Sequence, residues 1–216
     1  AADIVSFTGS AAVGAQVAVA AARRGVPVQC EMGGHNPAVV LPDADLERTA
    51  AQVAAAAFGF AGQKCTATKR VVVVGRVAEF TEALLAATQA LPFGDPADPA
   101  TVVGPVVEEA ARDRVVAAAR AAREAGGRVL TGGSATDGAG WFVPPTVVEG
   151  LPEGAELLRE ETFGPICAIV GADSVDDAVR RANDVRYGLA AAVYTGDLDG
   201  ALRVTDALAA GQVKVN

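Results

Sequence analysis

The sequence contains three cysteines, and one of them has neighbours suited to nucleophilic chemistry. Cys30 and Cys167 lie in apolar runs, where a cysteine usually packs as a small buried hydrophobic residue. Cys65 lies in Ala-Gly-Gln-Lys-Cys-Thr-Ala, where Lys64 and nearby backbone N–H groups would favour the thiolate. From the residues alone, Cys65 is equally well interpreted as a nucleophile or as an ordinary loop cysteine.

Glu31 is the carboxylate best placed to act as a base. It ends an apolar run that begins at Val26, and Gly33 and Gly34 follow closely, where a ligand could approach the backbone. Parallel sheets bind ligands beyond the carboxyl ends of their strands, so we expect a buried carboxylate there. It could activate the water that releases an acyl group from a thiol. A capping or ion-paired glutamate remains the alternative.

Three further segments could contact a ligand. The turn from Gly9 to Gly14 joins a strand to a helix, and helix N-termini attract phosphate, although the turn matches no Walker A or Gly-x-Gly-x-x-Gly pattern. In Glu160-Glu-Thr-Phe-Gly-Pro165, a carboxylate could bind vicinal hydroxyls while Phe163 packs on a flat ring, but an acidic turn explains the same residues. His35 is interpreted as a polar loop residue.

The composition argues against several classes of partner. The chain has 216 residues, of which 51% are hydrophobic and 20% charged, as in a folded protein with a substantial core. A net charge of −8 argues against nucleic-acid binding, and no apolar stretch approaches the ~20 residues of a membrane span. Three cysteines favour a reducing, cytoplasmic location, and a single histidine excludes a multi-histidine metal site, so no metal is expected.

Short apolar runs alternate with alanine-rich amphipathic segments, which predicts an α/β fold with a largely parallel sheet flanked by helices. The predicted strands and extended segments are Ile4–Phe7, Val26–Glu31, Lys69–Val74, Arg128–Leu130, Trp141–Val148, Ile166–Val170, Ala190–Tyr194 and Val213–Val215. The predicted helices span residues 10–24, 43–58, 77–91, 107–125, 175–183 and 198–209. This arrangement would bring the ends of several strands, and the candidate residues beside them, to one edge of a sheet.

A series of motifs along the whole chain resembles the aldehyde dehydrogenase superfamily in order and spacing. The motifs nearest the candidate residues are Phe7-Thr-Gly-Ser10, Glu31-Met-Gly-Gly34, Gly62-Gln-Lys-Cys-Thr-Ala67 and Glu160-Glu-Thr-Phe-Gly-Pro165. The other landmarks are Gly94-Asp-Pro96, Gly104-Pro105, Gly132-Gly133, Phe142-Val-Pro-Pro-Thr146, Tyr187-Gly-Leu189 and Val215-Asn216. His35 stands where the family commonly has lysine. The resemblance implies an α/β catalytic domain of aldehyde dehydrogenase type with a remnant of the Rossmann-like cofactor domain.

The resemblance also implies roles for individual residues. Cys65 would be the nucleophile that forms a thiohemiacetal and then a thioester, and Glu31 the base that activates the hydrolytic water. The resemblance implies that the cofactor is NAD or NADP. It would be bound by residues at the first strand–helix turn, at the end of the second strand and in the acidic loop. These cofactor-binding residues are Gly9, Ser10, Val13, Gly14, Met32, Glu161 and Phe163.

The implied activity is the NAD(P)-dependent oxidation of a small aldehyde to a carboxylic acid, with ketoglutarate-semialdehyde-type enzymes the most similar. A coenzyme A-acylating aldehyde dehydrogenase and a truncated, non-catalytic copy are the alternatives. We expect residues 1–33 to be the C-terminal part of a dinucleotide-binding domain, and residues 34–216 to be a catalytic domain incomplete at its C-terminus. The chain is then a fragment, inactive alone, of a homodimeric or homotetrameric enzyme.

Overall fold

The computed structural model describes residues 2–216, which contain nine strands and six α-helices. The strands are β1 (Val5–Gly9), β2 (Val28–Met32), β3 (Asn36–Val40), β4 (Thr68–Val74), β5 (Arg128–Thr131), β6 (Thr146–Glu149), β7 (Ile166–Ala172), β8 (Ala190–Tyr194) and β9 (Gln212–Val215). The helices are α1 (Ala11–Ala22), α2 (Leu46–Phe58), α3 (Val77–Gln89), α4 (Glu109–Glu124), α5 (Val175–Asn183) and α6 (Leu198–Ala207). The predicted α/β class with a largely parallel sheet is confirmed.

β1 and β2 form a separate two-stranded parallel sheet, and α1 connects them. The Ser10 hydroxyl accepts a hydrogen bond from the N–H of Val13 at 3.4 Å, which caps the start of α1. Cys30 and Met32 of β2 both contact Gly14 of α1. Because side chains alternate along a strand, Glu31 lies on the face of β2 opposite α1.

The second sheet has seven strands in the order β5-β6-β7-β4-β3-β8-β9, and only the β5–β6 pair is antiparallel. Helices cover both faces of its centre, which is why β4 continues as an uninterrupted run of buried valines. Val71 and Val73 pack on the face that carries α2 and α3, whereas Val72 and Val74 pack on the face that carries α5 and α6.

β3 is the strand that the sequence pattern did not predict. It lies at the centre of the sheet between β4 and β8, and all five of its residues are buried. Pro37 is its second residue, and a proline usually argues against a central strand because it lacks a ladder N–H. The register with β4 shifts between Asn36 and Pro37, and this irregularity accommodates the proline.

The other elements match the predicted ones apart from shifts at their ends. β1 begins one residue later than predicted and extends to Gly9, whereas α5 and β8 have the predicted bounds. None of the helices within residues 2–216 combines the length and the apolar character that crossing a bilayer requires.

Candidate active site

Cys65 is exposed, on the loop that joins α2 to β4. The backbone just before it turns through three successive left-handed residues, Phe60 (φ 56°), Ala61 (φ 53°) and Gly62 (φ +63°). This conformation is energetically unfavourable for L-residues, and such backbone strain is often found at functional sites. The turn is therefore an independent sign that the position of Cys65 is functionally constrained.

Asn36, the first residue of β3, holds the Cys65 loop in place. Its buried side-chain amide donates hydrogen bonds to the carbonyl oxygens of Cys65 at 2.8 Å and Ala67 at 2.9 Å. Its side-chain oxygen accepts a hydrogen bond from the N–H of Ala190 in β8 at 3.1 Å. One side chain thus connects the candidate nucleophile loop to two strands of the central sheet.

Gly33 and Gly34 lie between Glu161 and the Cys65 loop and contact the Glu161 carboxylate. Its Oε1 accepts a hydrogen bond from the N–H of Gly34 at 3.2 Å, and a Cβ at Gly33 would collide with the carboxylate. A Cβ at Gly34 would lie 2.9 Å from the carbonyl oxygen of Cys65. Glycine is therefore required at both positions for the two segments to approach.

Burial is the main influence on the ionisation of Glu161. It raises the pKa of this carboxyl, while the Gly34 N–H and the Lys69 ammonium act in the opposite direction. Phe163, two residues further on, is 39% exposed. The segment thus presents a half-buried carboxylate and an accessible aromatic face close to the Cys65 loop.

Glu31 is exposed, and the expectation that it would be buried is wrong. β2 belongs to a sheet of two strands, and α1 covers the face that carries Cys30 and Met32. On the opposite face the Glu31 carboxylate accepts a hydrogen bond from the side-chain amide of Gln29 at 3.2 Å. Within residues 2–216, no hydrogen bond or ion pair connects Glu31 to the Cys65 loop.

The donor groups of the chain fit a dinucleotide. Ser10 caps the start of α1, whose N-terminal N–H groups suit a phosphate. One oxygen of Glu161 is bound to Gly34 while the other has no protein donor within residues 2–216, which suits a ribose hydroxyl. The exposed ring of Phe163 suits a flat heterocycle. Within the same residues, no cluster of His, Cys, Asp and Glu side chains could hold a metal ion.

Comparison with known proteins identifies the family. The model of the aldehyde dehydrogenase family matches residues 1–216. This chain belongs to the aldehyde dehydrogenase family.

Relatives of this chain include semialdehyde dehydrogenases. The succinate-semialdehyde dehydrogenase of Paenarthrobacter nicotinovorans is 40% identical over 213 residues, covering 98% of the chain and 47% of the relative. The alpha-ketoglutaric semialdehyde dehydrogenase of Bacillus subtilis is 36% identical, covering 99% of the chain and 45% of the relative. The solved structure of an NAD-dependent aldehyde dehydrogenase from Sinorhizobium meliloti has a TM-score of 0.96 at 34% identity, covering 99% of the chain and 43% of that structure. The chain therefore spans less than half the length of these relatives.

The other two cysteines differ from Cys65 in accessibility. Cys167 is fully buried in β7, and burial raises the pKa of its thiol to about 12. Cys30 is partly buried, and its sulfur lies 3.6 Å from the carbonyl oxygen of Gly14. The interpretation of Cys167 as a small buried residue is confirmed, whereas Cys30 is only partly buried.

His35 lies in the predicted loop, between β2 and β3, but it is 2% exposed rather than a polar surface residue. Its ring lies near the backbone of Leu157 and Leu158, but neither ring nitrogen makes a hydrogen bond of good geometry within residues 2–216. Burial, reinforced by the positive charges of Arg70 and Lys69, lowers the pKa of His35 to about 3, while the backbone of Leu157 and Leu158 acts in the opposite direction. The sequence around His35 does not indicate this, because the segments that cover it are distant in the chain.

Asn36 is a further residue of the site that the sequence alone did not indicate. Its partners lie 29, 31 and 154 residues away, so no local pattern points to them. The available signal was a polar amide directly before an apolar run that begins with proline. Such a residue must find hydrogen-bond partners once the run is buried.

Proposed function

We propose that the protein containing this chain oxidises an aldehyde to a carboxylic acid with NAD or NADP, using Cys65 as nucleophile and Glu31 as base. The observation that carries the proposal is the position of Cys65. It is exposed on a strained loop whose carbonyl is bound by Asn36. The same loop touches Gly34, whose N–H binds Glu161.

The first steps take place at the sulfur. The Cys65 thiolate adds to the aldehyde carbonyl and forms a thiohemiacetal, and the Cys65 N–H donates to the oxygen that becomes negative. NAD or NADP, when bound, supplies the hydride acceptor for the oxidation. Loss of hydride from the adduct leaves an acyl thioester on Cys65, which must then be hydrolysed.

Glu31 performs the hydrolytic step. Its carboxylate takes a proton from a water molecule, and the resulting hydroxide attacks the thioester, which releases the carboxylic acid and the thiolate. Its exposure on the open face of β2 supports this role, because water reaches the side chain freely. Gly33 and Gly34 follow directly, and Gly34 abuts the Cys65 carbonyl, so the strand end leads to the nucleophile loop.

The cofactor would bind at both sides of this loop. The start of α1 would hold the pyrophosphate, Glu161 the ribose, and the Met32 backbone and Phe163 the nicotinamide. The residues assigned to this site are Gly9, Ser10, Val13, Gly14, Met32, Glu161 and Phe163. The capped helix start, the free carboxylate oxygen and the accessible ring support the assignment.

The separation of the two sheets supports the division of the chain into residues 1–33 of a dinucleotide-binding domain and residues 34–216 of a catalytic domain. The expected substrate is a small aldehyde, and the names of two relatives favour a semialdehyde. We place the protein in the cytoplasm as a homodimer or homotetramer. Residues 1–216 alone would be inactive, since they span less than half the length of these relatives.

Replacing Cys65 tests the proposal. In the complete natural polypeptide that carries residues 1–216, Cys65→Ser should lower aldehyde-dependent formation of reduced cofactor by at least about a thousandfold. Cys30→Ser is the matched control and should keep the activity. Unchanged turnover in Cys65→Ser would refute the assignment. Release of acyl-coenzyme A in place of the free acid would favour the acylating alternative.

A further inference from the structure

Lys69 is a buried cation that the proposed mechanism does not use. It is the second residue of β4 and is 2% exposed. Burying a charge without an opposite charge costs several kcal/mol, so a lysine in a central strand requires an explanation. Within residues 2–216, no carboxylate forms an ion pair with it.

The Lys69 ammonium instead binds two backbone carbonyls from different segments. Nζ donates hydrogen bonds to the oxygens of Gly62 and Gly164, each at 2.7 Å. Gly62 lies three residues before Cys65, and Gly164 lies three residues after Glu161 and next to Phe163. One side chain thus joins the candidate nucleophile loop to the segment assigned to the cofactor.

The two segments are packed tightly at this point. A Cβ at Gly62 would collide with the carbonyl of Gly164 and would lie 2.8 Å from the oxygen of Ala57. Two carbonyl oxygens that bind the same nitrogen are close enough to repel each other, and the positive charge of the Lys69 ammonium offsets that repulsion. The position of Lys69 therefore accounts for the close approach of the two backbones.

The charged and titratable groups that bear on Lys69 come from several elements. Burial lowers the pKa of Lys69 to about 8, while the Cys167 thiol on β7 and the Glu161 carboxylate act in the opposite direction. On other sides lie His35, kept neutral at pH 7 by its low pKa, and Arg70, the next residue of β4. Near neutral pH the ammonium form prevails, so the link between the loops is a charged one.

We propose that Lys69 is a positioning residue, which fixes the Cys65 loop against the Glu161–Phe163 segment so that dinucleotide binding at one changes thiol reactivity at the other. The proposal rests on the proposed function. Because Lys69 also holds the carbonyl of Gly164, next to Phe163, its loss should weaken dinucleotide binding as well.

The test measures alkylation of Cys65 by iodoacetamide with and without NAD, with the modified cysteine identified by peptide mass spectrometry. In the complete natural polypeptide, saturating NAD should change the alkylation rate about fivefold or more. In Lys69→Met the change should fall below about twofold, and KM for NAD should rise more than KM for the aldehyde. Arg70→Met is the matched control, because Arg70 is equally buried but binds the carbonyls of His35, Arg181 and Ala182. It should reduce thermal stability and keep the NAD effect.

A second variant keeps the test decisive if Lys69→Met does not fold. Gly62→Ala retains the lysine but forces the two backbones apart, and it should also abolish the NAD effect. The proposal would be overturned by a folded Lys69→Met protein in which NAD changes the alkylation rate as much as in the parent and KM for NAD is unchanged. It would also be overturned if bound NAD did not change the alkylation rate of Cys65 in the parent protein. A parent that forms no reduced cofactor from any aldehyde would overturn the proposed function instead.

Discussion

The side-chain amide of Asn36 donates a hydrogen bond to the carbonyl oxygen of Cys65 at 2.8 Å, across 29 residues of sequence. The same side chain binds Ala67 and Ala190, so the position of the candidate nucleophile is set by the first residue of a central strand. The reactive loop is thus positioned by the rigid sheet. This relationship explains how an exposed cysteine can be held in a defined place.

Asn36→Ala removes all three of these hydrogen bonds. Leaving buried partners unsatisfied should lower the free energy of unfolding by about 1–3 kcal/mol, and turnover should fall because the Cys65 loop loses its anchor. Urea unfolding and steady-state kinetics measure the two effects. Asn183→Ala is the control, because Asn183 makes similar bonds to Ala207 and Ala209 at the end of α6. It should reduce stability while kcat stays unchanged; an equal loss of kcat would argue against the anchoring role.

Gly33→Ala places a methyl group against the Glu161 carboxylate. The side chain must move, which breaks its hydrogen bond with Gly34, and we expect a loss of about 1–3 kcal/mol in stability together with weaker NAD binding. Fluorescence titration with NAD measures the affinity. Gly154→Ala is the control, since a Cβ there meets no atom within 4 Å. Equal NAD affinities in the two variants would contradict the role of Glu161.

His35 should make the protein sensitive to mild acid. Because its pKa is about 3 in the folded state and 6.5 in the reference state, the unfolded chain takes up the proton first as the pH falls. The stability that the neutral ring confers is therefore lost as the pH falls below about 6.5, at up to about 1.4 kcal/mol per pH unit. Between pH 7 and pH 5 this amounts to about 2 kcal/mol.

The comparison of the parent protein with His35→Phe isolates this effect, because other groups titrate alike in both. Urea unfolding of the two proteins at pH 7, 6 and 5 should show the free energy of unfolding of the parent falling by about 2 kcal/mol relative to that of His35→Phe. A difference between the two proteins that does not change with pH would mean that His35 does not titrate differently in the folded and unfolded states.

The sequence was informative where a pattern is local. α5 and β8 were predicted residue for residue, since Ser174 and the first-turn aspartates mark one helix and a run of Ala and Val marks the strand. β3 could not be predicted in this way, because Pro37 argues against a central strand. The register shift between Asn36 and Pro37, which accommodates the proline, is visible only in the folded sheet.

The residue types of the candidate site could be predicted from the sequence, but the long-range contacts that hold these residues in place could not. The exposure of Cys65 follows from its small, polar neighbours, whereas the exposure of Glu31 depends on a sheet of only two strands. The bond from Gly34 to Glu161 spans 127 residues, and no local pattern encodes it. Long-range hydrogen bonds of this kind are properties of the assembled fold.

If Cys65 carries the acyl group and Glu31 activates the water that hydrolyses it, removal of the Glu31 carboxylate should leave the acyl group on the sulfur. The most direct measurement uses Glu31→Gln in the complete natural polypeptide, mixed with an aldehyde and NAD, quenched in acid and analysed by peptide mass spectrometry. We expect a burst of reduced cofactor close to one equivalent per site, followed by slow turnover and an acyl group on the Cys65 peptide. Rapid turnover without a burst, or an acyl group on Cys30 or Cys167 instead, would contradict this mechanism.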